Sequence, residues 1–330
     1  MTHLVQYLTA AAAPALGLAE GDDIVRIDGF DSLAALGAAA IARQTTLAGL
    51  AQACRGVQKE RYELVFTSGR IRPVDDSRDG SRVFVTGTGL THMGSAQARD
   101  AMHAALGAPD DALSDSMKIF KAGLEGGKPQ GGAIGVQPEW FWKGDASILR
   151  GSGQPMESPH WAHDFGEEPE IAGIYLVGPD GQPYRLGFAL ANEMSDHVME
   201  RQNYLLLAHS KLRQCALGPQ LLTGELPADV QGMSRIYRGG EVAWERPFLS
   251  GEDNMTHTIA NLEHHHFKYP LFRQPGDLHV HLFGTATISF ADGFRLNVGD
   301  EMEIHCPRLG RPLRNPVRAA RFDAPPMRIL

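Results

Sequence analysis

Residues 165–219 read FGEEPEIAGIYLVGPDGQPYRLGFALANEMSDHVMERQNYLLLAHSKLRQCALGP, and this stretch organises the chain. Glu168 and Glu170 are two residues apart, so on an extended strand both side chains leave the same face. Pro179-Asp180-Gly181 is a turn signal between two apolar runs, IAGIYLV and YRLGFALA, which predicts a hairpin. The second run ends at Asn192-Glu193, so the hairpin returns a third carboxylate toward the first two. Three clustered oxygen ligands suit a hard cation such as Mg²⁺ or Mn²⁺. An isolated Glu-x-Glu is more often a solvated acidic edge, so what surrounds it decides the reading.

The chain has 330 residues, enough for one large domain or two ordinary ones. Hydrophobic content of 43% and charged content of 21% describe a globular protein with a sizeable core. Basic residues number 31 against 39 acidic, a net charge of −8, and no basic run is interleaved with aromatics, which argues against a nucleic-acid partner. Cys54, Cys215 and Cys306 are few and far apart, which favours a reducing compartment over disulfides. The segment LTAAAAPALG lacks the cationic and apolar regions of a signal peptide, and no run is long enough to span a bilayer. A cytoplasmic location is expected.

Residues 1–78 are expected to form a small α/β lobe and residues 79–330 the main domain. The lobe would hold strands near His3–Leu8 and Ile24–Ile27, then one Ala-rich helix over 32–54 capped by Asp31 or Ser32. PVDDSRDGS at 73–81 is a polar, turn-rich boundary. RVFVT at 82–86 is a strand, and Gly87 and Gly89 after it suggest close backbone approach. Residues 121–135, KAGLEGGKPQGGAIG, read as a mobile loop. In PEWFWKG at 138–144 a carboxylate, Glu139, sits among aromatics, which would raise its pKa and let it carry a proton. His264, His265 and His266 are neighbours that point in different directions on a helix, which places them at the surface or an interface. His279 and His281 share a strand face and make a better ligand pair, ranked below the carboxylates.

In order, EPE at 168–170, NEMSDH at 192–197, SKLRQCALGP at 210–219, GD and FGTA across 276–286, VGDEMEI at 298–304 and LRNPV at 313–317 resemble the fumarylacetoacetate hydrolase superfamily over roughly residues 80–330. The resemblance implies an α+β, mostly β fold: a mixed β-roll catalytic domain beside the small N-terminal α/β lobe. It implies Glu168, Glu170 and Glu193 as ligands of Mg²⁺ or Mn²⁺, with Glu193 replacing the family's usual Asp and His197 its usual Arg. Within the superfamily, GLTHMGSAQARD at 89–100 and PEWFWKG are similar to the 2-keto-3-deoxy sugar-acid dehydratases, in particular an L-arabinose-associated family. That subgroup implies Lys211 and Glu139 as the proton-handling pair. The shared motifs add His92 to the catalytic candidates and Thr91, Ser95, Arg99, Lys143, Ser195 and Thr285 to the substrate-binding ones. The family's dimers imply a homodimer or higher oligomer.

The superfamily hosts several reactions, so the fold does not choose among them. Members that activate water carry a His followed three residues later by Glu, whereas His92 is followed at that offset by Ser95. The expected reaction is cation-dependent dehydration of a 2-keto-3-deoxy sugar acid, such as 2-keto-3-deoxyarabinonate, to a 2-oxoglutarate semialdehyde. Alternatives are hydrolysis of a C–C bond in a 2,4-diketo acid, and sugar-acid binding without turnover.

Overall fold

The computed structural model describes residues 1–73, 80–94 and 113–330. The expected hairpin is its centre: strand Gly166–Val177 pairs antiparallel with Pro183–Ser195, and Glu193 lies directly opposite Glu168. Every residue of the first strand is buried, because both faces of this hairpin are covered. One face, carrying Ala172, Ile174, Leu176, Ala189 and Ala191, packs under the N-terminal helices. The other, carrying Ile171, Phe188, Leu190 and Met194, packs on a second sheet through Phe248, Met302, Ile304 and Leu313. Glu168 and Glu170 continue the first face at its open end.

The first sheet contains 11 strands among the described residues and is mixed. From one edge it runs Arg55–Arg61, Asp23–Ile27, Pro14–Glu20, His3–Leu8, Cys215–Leu222, the central hairpin, Leu278–Leu282, Val83–Gly87 and Phe141–Gly144, and off this path Leu149–Arg150 pairs parallel with Cys215–Leu222. Strand Leu278–Leu282 runs parallel to Val83–Gly87 and antiparallel to Gly166–Val177. The second sheet has 5 strands among the described residues, in the order Glu241–Ser250, Val230–Arg238, Glu301–His305, Leu313–Ala320 and Met156–Pro159. The mostly β expectation holds.

Several local expectations are corrected. The N-terminal strands belong to the main sheet, since His3 pairs with Leu222 and Leu4 with Leu221. Strands Pro14–Glu20 and Arg55–Arg61 were not anticipated. The Ala-rich stretch forms two helices, Leu33–Ala42 and Leu47–Ala53. Gln44 breaks it with a positive φ of 51°, and Thr46 Oγ1 starts the second helix by accepting from Gly49 N at 3.1 Å. Of the supposed mobile loop, Lys121–Gly126 is the end of helix Asp115–Gly126. Most of the expected boundary at 73–81 lies outside the described residues. Among those residues no single helix is long and apolar enough to cross a membrane.

The histidines also differ from expectation. His266 is fully buried on helix Ile259–Phe267, and its Nε2 lies 3.0 Å from His279 Nδ1. Its ring stacks on Phe272 and on His281, 4.5 Å away between centroids in the latter case. Burial lowers all three histidines, so they act as neutral packing groups.

One buried ion pair ties the segment after the hairpin to the sheet. Arg213 Nη2 donates to Asp196 Oδ2 at 2.9 Å, and both side chains are almost wholly buried. Asp196 also accepts from His163 N and from Met199 N, the latter as N-cap of helix His197–Gln202. Asp196→Ala leaves the guanidinium unpaired and is expected to cost about 3–5 kcal/mol of unfolding free energy. Urea denaturation checks this; a change within ~0.5 kcal/mol, typical of a surface position, would contradict it.

Candidate active site

Hairpin register brings Glu168, Glu170 and Glu193 together at the open end of the sheet. One carboxylate oxygen from each lies within 4.8 Å of the others, and all three residues are buried. Glu170 Oε2 accepts from Gly284 N at 2.7 Å, while its Oε1 has no hydrogen-bond partner. Glu193 Oε2 accepts from Lys211 Nζ at 3.2 Å. Its Oε1 lies 3.2 Å from Lys143 Nζ, yet receives no hydrogen bond. Lys143 aims its ammonium hydrogens at Met194 O (2.7 Å) and Lys211 O (2.9 Å), so that contact is one of charge alone.

Glu168 Oε1 is the most heavily used atom of the group. It accepts from Lys211 Nζ at 2.8 Å and pairs with His197 Nε2 at 3.0 Å. The far side of the imidazole meets Asp164 Oδ2 at 3.3 Å. Burial alone would lower the His197 pKa, but hydrogen bonds to Asp164 and Glu168 prevail and push it up to about 10. Gly166 makes room for this ring: a Cβ there would run into His197.

The carboxylates differ in charge state because their neighbours differ. Burial opposes ionisation of Glu168, but Lys211 and His197 outweigh it and hold it well below the ordinary range. For Glu170, burial and then repulsion from Glu193 and Glu168 push the pKa well up. Glu193 is raised mainly by burial, against the pull of Lys143 and Lys211. Lys211 is fully surrounded. Burial works to discharge it, yet Glu168, Glu193 and Glu200 together hold its ammonium well above its usual pKa. Its Nζ also lies 3.1 Å from Ser195 Oγ and 5.0 Å from the centre of the Phe141 ring.

Glu139 reaches the group from the segment that leads into the edge strand Phe141–Gly144. Alternation puts Glu139, Phe141 and Lys143 on the site face, while Trp140 turns away to donate to His266 Nδ1 at 3.3 Å. Burial, rather than an aromatic box, raises the Glu139 pKa to about 7; Lys211 pulls against it, as does the hydrogen bond of Tyr204. The carboxyl rests on Gly89, where an added Cβ would stand 2.7 Å from Oε1. Gly87 is crowded in the same way by Phe141. Both glycines therefore serve the close approach expected of them.

The remaining expected residues have diverse placements. His92 makes no hydrogen bond to the carboxylates: its Nδ1 is 3.0 Å from Thr91 Oγ1 and its Nε2 3.0 Å from Ser250 Oγ. Burial lowers its pKa to about 3, so it is a neutral strut. Thr91 bonds the Phe283 carbonyl, next to the Gly284 amide that serves Glu170. Lys143 lies behind Glu193 with its ammonium fully engaged, which removes it from direct substrate contact and makes it a support. Thr285 Oγ1 caps its own loop, accepting from Thr287 N at 3.2 Å. Ser95 and Arg99 lie outside the described residues.

Sequence reasoning missed three contributors. His197 was noted only as a replacement, and its role as partner of Glu168 depends on Asp164, 33 residues earlier. Glu200, half-buried on helix His197–Gln202, lies within charge range of Lys211; burial raises its pKa. Tyr204, on the following turn, places its hydroxyl against Glu139, and burial raises it too. The helical stretch that leads from the hairpin to Lys211, the C-cap of helix Leu207–Ser210, was the only available signal.

No family model and no curated protein matches the chain. Solved structures do. A 2-keto-3-deoxy-D-arabinonate dehydratase in its apo form aligns over 97% of this chain and 100% of its own, with a TM-score of 0.69 and 21% identity. The same kind of enzyme complexed with magnesium and 2,5-dioxopentanoate aligns over 97% and 100% with a TM-score of 0.66 and 20% identity. A 5-carboxymethyl-2-hydroxymuconate delta-isomerase from Mycobacterium smegmatis aligns over the same shares with a TM-score of 0.57 and 15% identity. These likenesses give the chain the fold that these enzymes share.

Proposed function

We propose that the protein is a divalent-cation-dependent lyase that removes water from a 2-keto-3-deoxy sugar acid, with a pentonate such as 2-keto-3-deoxyarabinonate as substrate. The observation that carries this is the convergence of two proton carriers, Lys211 and Glu139, on one buried three-carboxylate cluster. Mere binding of a sugar acid would need no such pair.

The donor set fits a hard cation. It consists of carboxylate oxygens alone, and Glu170 Oε1 and Glu193 Oε1 are buried without hydrogen-bond donors. Glu168, Glu170 and Glu193 would hold Mg²⁺ or Mn²⁺. Such an ion supplies Lewis-acid polarisation of a chelated 2-keto acid, which acidifies its C3 protons.

The chain's own groups supply the proton transfers. Lys211, once Glu168 and Glu193 no longer hold its charge, becomes a desolvated amine able to take a C3 proton. Glu139 still carries its proton near neutrality and delivers it to the C4 hydroxyl, which leaves as water. The C3–H and C4–O bonds break, a C3–C4 double bond forms, and tautomerisation places the aldehyde at C5. Lys143 holds the backbone of Lys211 and the charge of Glu193 in place. His197 fixes Glu168, and His92 fixes the loop that serves Glu170. With both ring nitrogens engaged, His92 has no free atom to activate a hydrolytic water.

The direct test is incubation of the protein with Mg²⁺ and D- and L-2-keto-3-deoxypentonates. Loss of water to a semialdehyde, abolished by a chelator and restored by Mg²⁺ or Mn²⁺, is expected; cleavage of a C–C bond would overturn the reading. Ligand assignment has its own check in Glu170→Gln. The amide keeps the Gly284 hydrogen bond but removes the repulsion from Glu193 and Glu168. Metal-free stability is expected to hold or rise, while Mg²⁺ affinity falls by more than the ~10–100-fold cost of losing a supporting contact. Thermal shifts across a Mg²⁺ titration measure both; an unchanged midpoint would remove Glu170 from the ligand set.

A further inference from the structure

Glu139 is presented by a segment with no regular structure of its own. Residues 133–140 belong to no helix or strand, and the ladder joining Phe141–Gly144 to Val83–Gly87 begins at Phe141. The segment takes its order from helix Ile259–Phe267 and the lysine that caps it. Asn261 accepts from Gly135 N at 2.8 Å and donates to Val136 O at 2.9 Å. His265 Nε2 lies 3.0 Å from Gly135 O, and Lys268 donates to Gln137 Oε1 at 2.7 Å. Asn261, His265 and Lys268 follow the i, i+4, i+7 spacing of one helix face. His266, pointing inward beside them, takes Trp140.

The Trp140 contact is the one that bears on Glu139. Neighbouring side chains leave an extended backbone on opposite faces, so holding the indole from behind fixes the backbone that carries the carboxyl group. An indole N–H only donates, so at 3.3 Å His266 Nδ1 is the acceptor and the imidazole proton sits on Nε2. That proton is donated to His279 Nδ1, 3.0 Å away on strand Leu278–Leu282 of the main sheet. His266 is fully buried, with Phe272 and His281 stacked on its ring, which holds the acceptor in one place. The bonds run in one direction, from Trp140 through His266 to His279. Filling the space between helix and sheet would need no such polarity.

We propose that His266 is a positioning residue for Glu139, acting through Trp140: it sets where the carboxyl group stands relative to the C4 hydroxyl. It takes no part in the cation site or in removal of the C3 proton. The inference rests on the proposed role of Glu139 as the acid, and it adds the device that aims it.

The test follows water loss and C3 deuterium exchange side by side, on the full-length protein with Mg²⁺ and a 2-keto-3-deoxypentonate. His266→Phe keeps a stacked ring and removes the acceptor. It is expected to lower kcat for water loss by ~10–100-fold, as a misaimed group does, with KM within about threefold and C3 exchange retained. His266→Gln, whose amide offers one acceptor and one donor, should recover part of the loss. Trp140→Phe removes the donor from a half-buried position and examines the same link should His266→Phe not fold. It should show the same loss, and the double variant should lose no more than either change alone, because both remove one bond. Turnover within about threefold of the unaltered protein in folded Trp140→Phe, loss of C3 exchange along with water loss, or additive losses in the double variant would overturn the inference and leave the proposed function standing. Unaltered protein that removes no water from the substrate would instead overturn the proposed function and this inference with it.

Discussion

Lys211→Met is expected to lower turnover by roughly 10²–10⁴-fold, the range of one positioned acid–base group. Methionine keeps a stem of similar length and removes the ammonium, which lies 5.0 Å from the centre of the Phe141 ring. Three contacts disappear together, at 2.8 Å to Glu168, 3.2 Å to Glu193 and 3.1 Å to Ser195. The two carboxylates then face one another without their shared cation. Stability of the metal-free protein should therefore fall, by about 3–5 kcal/mol where a buried charge loses its partner. Mg²⁺ should recover part of that loss, since a divalent ion meets the same oxygens. Turnover within about threefold of the unaltered protein would contradict the role given to Lys211.

Glu139→Gln is expected to reduce water loss by a similar ~10²–10⁴-fold while leaving the fold intact, because the amide fills the same space above Gly89. The unaltered protein should also show a pH limb. Burial raises Glu139 from 4.5 to about 7, and the protonated form is the competent one, so turnover should decline as pH rises through about 7. The sign for stability follows from the same shift. Between 4.5 and about 7 the folded state binds a proton that the unfolded state has lost, so the Glu139 contribution to stability is lost as pH climbs across that window. Glu139→Gln should flatten this part of the stability–pH curve. A turnover profile with no falling limb above neutrality would contradict Glu139 as the acid.

The parts of the site that were legible in the sequence are those set by a short repeat. A period of two places Glu168 and Glu170 on one face, and Pro179-Asp180-Gly181 fixes the hairpin that returns Glu193 opposite Glu168. Gly87 and Gly89 announced a close approach, and Phe141 and Glu139 are what approach. The illegible parts depend on separations that no local pattern encodes. His197 gains its charge from Asp164, the buried His266 meets His279 across two elements, and His3 extends the main sheet only because it finds Leu222. Lys143 illustrates a further gap. The strand period shows that it faces the site, but not that Met194 and Lys211 carbonyls absorb its ammonium. Composition misled for the Ala-rich helix, where a single left-handed residue at Gln44 divides what propensity joins.

In the proposed mechanism Lys211 and Glu139 act in separate proton transfers on a 2-keto acid held at the three carboxylates. Its most direct measurement is proton NMR of a 2-keto-3-deoxypentonate in deuterated buffer with Mg²⁺ and Glu139→Gln protein. Exchange of the C3 hydrogen for deuterium without formation of the semialdehyde is expected, and no exchange when Lys211 is also replaced or Mg²⁺ is chelated. Loss of C3 exchange together with water loss in Glu139→Gln, or exchange that persists without Lys211, would contradict it.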